Sequence, residues 1–283
     1  MRACHRSSVS GFWSACSLSA LAVVAAASIG GCRRKPPMIT VGRIVLNLPR
    51  RLDDNAKDRE AIREAVAERV RQDPLTEFDP KARDASHTLQ LSAGVVVPIP
   101  GESTEARPVT VRLRPRRDGR EYEAGGRGLP LADAESSVLT GFDAAWEIID
   151  QERWLDIGDD ARLIQALRHP DSSLRDFAIQ RLGERKSVAA VDALGEILGS
   201  LEEDPDRVLR AVGALVAIGD RRAVDPLIDL TRRKDPRFVI QVVFALSGIG
   251  GPTAQGYLVT LASGHPVEAV RESAKDALGE MSP

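Results

Sequence analysis

The sequence predicts an α+β chain: a small N-terminal β-α-β-β-β unit of the α/β kind, followed by an all-α array of helical hairpins. Two observations carry this reading. Between residues 39 and 113 apolar residues repeatedly alternate with polar ones, the period of half-buried strands. Beyond residue 131 the period becomes helical and one punctuation recurs: Ile157-Gly158-Asp159, Leu182-Gly183-Glu184, Ile218-Gly219-Asp220, Ile249-Gly250-Gly251 and Leu278-Gly279-Glu280. A breaker precedes each of the last four, at His169-Pro170, Asp204-Pro205, Asp235-Pro236 and His265-Pro266. Marks roughly 30 residues apart are what stacked helical hairpins produce. An aromatic content of only 4% suits thin helices packed in pairs.

The first element is a processing segment. Arg2, His5 and Arg6 form a cationic start, and Ser7 to Gly31 carries no charge. Ile29-Gly30-Gly31-Cys32 then resembles a bacterial lipobox, in which small side chains let the backbone enter the lipoprotein signal peptidase and the cysteine thiol takes the diacylglycerol. Two other readings stay open: cleavage by ordinary signal peptidase at Ala25-Ala26-Ala27, and retention as an anchor, for which the Ser and Gly content is poor. Cysteine usage favours the lipobox. Cys4 and Cys16 fall inside the removed segment, so Cys32 is left as a lone thiol that acylation would explain. Arg33-Arg34-Lys35-Pro36-Pro37 reads as a solvated spacer. Arg33 stands where aspartate would retain an enteric lipoprotein at the inner membrane, so the resemblance implies the outer membrane, facing the periplasm.

Ile39 to Leu48 reads as a strand with Ile44, Leu46 and Leu48 on one face and Val41 and Val45 on the other. Asp53-Asp54 opens a helix whose stripe is Ala61, Ile62, Ala65, Val66 and Val70, closed by Asp73-Pro74. Leu89, Leu91, Ala93, Val95 and Val97 share a face of the next strand, which Pro98 and Pro100 close. Val109, Val111 and Leu113 alternate with Thr110, Arg112 and Arg114, and the turn Pro115 to Gly119 folds this strand back onto a short one at Tyr122. Gly125-Gly126-Arg127-Gly128 lacks the Lys-Ser/Thr ending of a phosphate loop and reads as a linker. The expected segments are therefore a signal peptide over 1–31, a lipid-anchor spacer over 32–38, the α/β unit over 39–130 and the repeats over 131–283.

In the repeats, Val138, Phe142, Trp146 and Ile149 line a long first helix, and a short partner carries Leu163 and Leu167. Leu174 to Leu182 pairs with Val188 to Leu198, Leu209 to Leu215 with Val224 to Ile228, and Val239 to Leu246 with Leu258 and Leu261; a last helix carries Val270 and Ala274. Glycine after each first helix is expected to take the left-handed cap conformation, with the aspartate after Gly158 and Gly219 capping the next helix. The run Asp204-Pro205, Val208-Leu209-Arg210, Ala217-Ile218-Gly219-Asp220-Arg221-Arg222-Ala223-Val224-Asp225-Pro226-Leu227 resembles the HEAT-like repeat first noted in phycobilisome lyases. The resemblance implies a HEAT-like superhelix over about half of the chain, acting as a protein-binding scaffold. Arg175, Arg210 and Arg271 recur five residues after the proline, with Gln241 in the remaining repeat, and are expected to tie repeats together through carboxylates such as Asp171 or Asp206.

Second helices usually line the concave face of such arrays, so the basic set Arg221, Arg222, Arg232, Arg233, Lys234 and Arg237 is the candidate partner-binding patch, interrupted by Asp225 and Asp229. A formal net charge of −2 gives no electrostatic case for nucleic acid. The histidines have no metal spacing and none forms the His-Glu dipeptides of HEAT-repeat iron hydroxylases. No Gly-x-Ser-x-Gly elbow is present. The expectation is a non-enzymatic envelope lipoprotein without metal or cofactor, holding a protein partner and the membrane through its lipid. The alternative is a glycan- or lipid-binding α/β domain with a groove lined by Tyr122 and the Arg112/Arg114 side.

Overall fold

The structure is a computed structural model, and it describes residues 38–53, 55–102, 104–129, 133–231 and 236–281. Strand β1 (Ile39–Asn47) is followed by a short helix α1 (Arg50–Asp53) and by α2 (Ala56–Gln72). The Asn55 side chain accepts from the Lys57 amide at the head of α2, and Ile62, Val66 and Val70 bury its apolar face. Strands β2 (Thr76–Phe78), β3 (His87–Ala93), β4 (Val97–Pro98), β5 (Glu105–Pro115) and β6 (Tyr122–Gly128) complete the N-terminal region. β1 pairs in parallel with β2 and β3, β5 runs antiparallel to β3 and β6, and β4 joins the start of β5.

Three local expectations are corrected here. A bulge between Val41 and Arg43 inserts an extra residue into β1, so Val41 lies buried on the same side as Ile44 and Leu46. Gly42 makes that bulge possible, because a Cβ there would collide with the Ala85 methyl. β3 stops at Ala93, and Val95 and Val97 are 64% and 43% exposed. The glycine-rich run is not a linker: it is β6, paired with β5 from Arg107↔Gly128 to Leu113↔Tyr122.

Helix α3 (Ala134–Asp156) explains why those glycines form a strand. It crosses β6 so closely that a Cβ on Gly126 would overlap the Gly141 carbonyl, and one on Gly128 would overlap that of Ser137. The sequence groups α3 with the repeats, yet its buried residues Val138, Phe142, Trp146 and Ile149 share one hydrophobic cluster with α2 and the inner face of the sheet. Arg153 on the same helix is buried and binds Asp73 at 3.3 Å, Thr76 at 3.2 Å and the Leu75 carbonyl at 3.1 Å, fastening α3 to the turn between α2 and β2.

A second cluster holds together α4 (Asp160–Ala166), α5 (Ser172–Glu184), α6 (Val191–Gly199), α7 (Pro205–Ile218), α8 (Val224–Leu230), α9 (Pro236–Ile249), α10 (Pro252–Gly264) and α11 (Glu268–Met281). Short 3-10 turns, Val188–Ala190 and Arg221–Ala223, lead into α6 and α8. First helices stack on one another, α5 on α7 and α7 on α9, while α6 packs against α8. The caps expected after Gly158 and Gly219 form, with Asp159 and Asp220 accepting amide protons at the head of the element that follows, and Asp171 and Asp204 do the same before α5 and α7. The glycine caps form at only two marks, Gly219 (φ 73°) and Gly250 (φ 71°). Gly183 lies inside α5, where Lys186 (φ 52°) takes the left-handed position after the helix, and Gly279 lies inside α11. Gly183 is small for another reason. A Cβ there would stand 2.9 Å from Ala214 Cα, so its absence sets the close approach of α5 to α7. The described residues belong to one compact unit, 34–283.

Candidate functional site

The sheet meets the first helical hairpin through a charged and aromatic junction. Tyr122, at the start of β6, donates its hydroxyl to Asp156 at the end of α3 (2.9 Å) and stacks on Phe177 of α5 with ring centroids 6.5 Å apart. Burial, then the Asp156 charge, pushes the phenol well above its ordinary pKa, so it acts only as a hydrogen-bond donor at neutral pH. Arg120 lies over the Phe177 ring at 5.8 Å, and Arg120 and Arg181 both pair with Asp156 and Glu184. Arg185 donates to the Gly158 carbonyl at 2.7 Å, closing the end of α3.

Beside this junction lies a cleft of about 650 Å³ between α3, α5 and α7, lined by Glu152, Asp176, Phe177, Gly183, Arg210 and Gly213. Most of its charges are already matched. Asp176 binds Arg207 at 2.7 Å and Arg210 at 3.0 Å, and Glu123 at its edge binds Arg112 at 2.7 Å. Glu152 differs. It is 6% exposed, and no hydrogen bond or ion pair reaches it among the described residues. Burial raises its pKa to about 8; Arg120 acts against the shift, and Asp171 and Asp156 reinforce it. A mostly protonated buried carboxyl facing a cleft is the kind of group that functional sites concentrate. Beyond the cleft, Phe244 on α9 stands 57% exposed at the repeat position that Gly213 occupies on α7, each eight residues after the helix-opening proline.

The recurring arginines are held differently from the expectation. Arg175 donates to the carbonyls of His169 (2.7 Å) and Pro170 (3.2 Å), and Arg271 makes the same pair of bonds to His265 (2.7 Å) and Pro266 (3.1 Å). The reason is local: Asp171 is occupied as a cap, and the carbonyls of a His-Pro turn have no helical donor. His169 and His265 complete each turn by accepting, through Nδ1, the amide proton two residues ahead. Arg210 does tie two repeats, through Asp176 rather than Asp206.

Residues 161–246 match the family model of HEAT repeats. The match runs from α4 into α9, the stretch in which these caps, turns and stacked first helices recur. Among curated proteins no match to the chain is found.

Of the basic patch expected on the second helices, only Arg221 and Arg222 have described side chains. Arg222 is tied inward to Asp220 at 3.1 Å, to the Val188 carbonyl at 2.8 Å and to Asp192 at 3.6 Å, and Arg221 lies beside Gly251 of the following repeat. Arg232, Arg233 and Lys234 lie outside the described residues, as do Cys32 and the side chain of Arg237. Between α6 and α8 there is instead an acidic-sided cleft of about 680 Å³, bordered by Asp225 and Asp229 and by Leu201, which is 83% exposed.

The α/β region does not form the groove expected for a glycan or lipid. In the β5–β6 register Tyr122 faces Leu113 and shares its helix-covered side, whereas Arg112 faces Glu123 on the open side. Arg112 and Arg114 are paired there with Glu123 and Glu121. Cross-strand alternation separates the residues that the sequence grouped. Among the described residues no cluster of three or more His, Cys, Asp or Glu is placed to hold a metal ion, and no helix is long and apolar enough to cross a membrane.

Glu152 and Phe244 were missed in the sequence. Glu152 looks like any surface carboxylate of an amphipathic helix until α5 covers it, and Phe244 falls within an apolar run where exposure has no signature.

Proposed function

We propose that the chain is a non-enzymatic lipoprotein of the bacterial envelope whose HEAT-like superhelix, of the type first noted in phycobilisome lyases, holds a protein partner against the membrane. HEAT repeats generally serve as protein-interaction scaffolds, and the observation that carries the reading for this chain is the face of its first helices. There a cleft with an unpaired buried acid continues toward exposed Phe244, where an ordinary helical surface would be polar. Acylated Cys32 supplies the tether, the basic and proline-containing spacer follows it, and Arg33 directs the protein to the outer membrane.

Two experiments test this. Cys32→Ser should abolish globomycin-sensitive processing and membrane association; unaltered maturation would remove the lipid anchor from the account. Crosslinking in envelopes, followed by purification of the full chain, should recover a discrete protein that Phe244→Asp and Gly213→Glu no longer recover. Gly213 has open space around its Cβ position and Phe244 is exposed, so neither substitution threatens folding. Equal recovery by both variants would reject the first-helix face as the binding surface.

A further inference from the structure

We propose that the cleft between α3, α5 and α7 receives an arginine or lysine side chain of the partner protein, with Glu152 as its counter-charge. This rests on the scaffold reading and names the chemistry of the partner. Three observations converge on it. Four carboxylates, Glu123, Glu152, Asp176 and Glu184, line the cleft together with one guanidinium, Arg210. Each carboxylate except Glu152 already has its guanidinium: Arg112 for Glu123, Arg207 and Arg210 for Asp176, Arg181 and Arg120 for Glu184. Glu152 alone lines the cleft without a protein partner among the described residues, and an entering cation would supply one.

The rest of the cleft suits the stem of such a side chain. Gly213, with open space around its Cβ position, and Ala217 leave a smooth apolar track along α7. Long basic side chains bury their methylenes along surfaces of this kind while the charged head is hydrogen-bonded. The guest's flanking residues would lie toward Phe244, so an apolar neighbour completes the recognised segment.

Binding is coupled to proton release. Glu152 has a pKa near 8 when the cleft is empty, and a cation can be held only by its ionised form. The charges that set this value are Arg120 from the β5–β6 turn, Asp156 on its own helix and Asp171 before α5. Asp176 and Glu184 on α5, Arg210 on α7 and Glu123 on β6 also face the cleft and are matched as above. Affinity for a cation should therefore rise with pH and level off above about pH 8.

The test titrates the full chain with n-butylguanidinium and with a capped Ala-Leu-Arg-Leu-Ala peptide, following the Glu152 carboxyl carbon by NMR, with Glu152→Gln used for assignment. Saturating probe should lower the Glu152 titration midpoint by at least one pH unit. Affinity should be at least tenfold greater at pH 8 than at pH 6, and the peptide should exceed the bare guanidinium. Glu152→Gln should bind both probes at least tenfold more weakly and without pH dependence. Gly213→Phe should fill the cleft and block binding while Glu152 still titrates. An unmoved midpoint, or equal binding by Glu152→Gln, overturns the proposal. If an envelope protein is captured equally by the wild type and Glu152→Gln, the cleft proposal alone falls. If the probes bind as described but the first-helix face captures no protein, the scaffold reading falls and the protein origin of the basic group with it.

Discussion

Replacing Gly126 by alanine should strike hardest at the seam between helix and sheet. A Cβ at this position would overlap the Gly141 carbonyl oxygen and stand 2.9 Å from its carbon and 3.0 Å from the Ala145 nitrogen, all backbone atoms that no rotamer change can move. The helix must retreat from the strand to relieve this. Its contribution to the core comes from Val138, Phe142, Trp146 and Ile149, all buried. At about 1.5–3 kcal/mol per large side chain, these are worth about 6–12 kcal/mol together. A gap of about 0.5–1 Å forfeits a quarter to a half of a dispersion contact, so the expected loss is about 1.5–6 kcal/mol. Gly125, the preceding residue, is the internal control. It sits on the open side with only the Val109 carbonyl at 4.0 Å, so alanine there should be neutral or stabilise by about 0.5–1 kcal/mol. Urea denaturation followed by circular dichroism measures both. Equal midpoints for the two alanine variants would refute the strand assignment and return the glycine run to a linker.

Arg153→Met leaves Asp73, a buried carboxylate, without its cation and should cost about 3–5 kcal/mol by the same denaturation assay. Glu152 gives a pH dependence. A carboxyl whose pKa is raised from 4.5 to about 8 holds its proton longer in the folded state, so stability falls as pH rises through that window. Asp150, raised to about 6 by burial and then by Asp73, adds to the fall only at lower pH, and His87, whose pKa burial lowers from 6.5, acts in the opposite sense below that value. Between pH 6.5 and 8 the decline, about 1–2 kcal/mol, should therefore belong to Glu152 and vanish in Glu152→Gln; a surviving slope would reassign it. Gly219→Ala, at φ 73°, should destabilise by about 1 kcal/mol, whereas Gly279→Ala, inside α11 with open space around it, should stabilise by about 0.5–1 kcal/mol; the same sign for both would contradict the helix boundaries.

What could be read from the sequence depended on whether a pattern is local. Helical spacing with aspartate caps is local, and α7 and α9 open at the Asp-Pro marks and close at the glycines Gly219 and Gly250. The conformation of each glycine is not: Gly183 and Gly219 carry the same mark, yet one serves close packing against Ala214 and the other a left-handed cap. The start of β6 at Tyr122 was legible, but its continuation through Gly125, Gly126 and Gly128 was hidden because glycine has no strand propensity of its own, and the approach of α3 makes it a strand. One signal was available. Ser137, Gly141 and Ala145 form a small-residue stripe at spacing four on one helix face, the complement of the alternating small positions Ala124, Gly126 and Gly128. In β1, Gly42 marked the bulge that carries Val41 to the core side. The arginine turns were half legible: their recurrence was visible, but the competition of helix capping for Asp171 was settled only by geometry.

The central claim is that the first-helix face grips a protein at the membrane. Its most direct test places a photo-crosslinking residue at Gln180 or Phe244, and for comparison at Gln90 and Thr110 on the open side of the sheet, in the full chain in living cells. A discrete protein adduct in the membrane fraction from the two helical positions, absent from the sheet positions, is the predicted result. Adducts confined to the sheet, or none at Gln180 and Phe244, would contradict it.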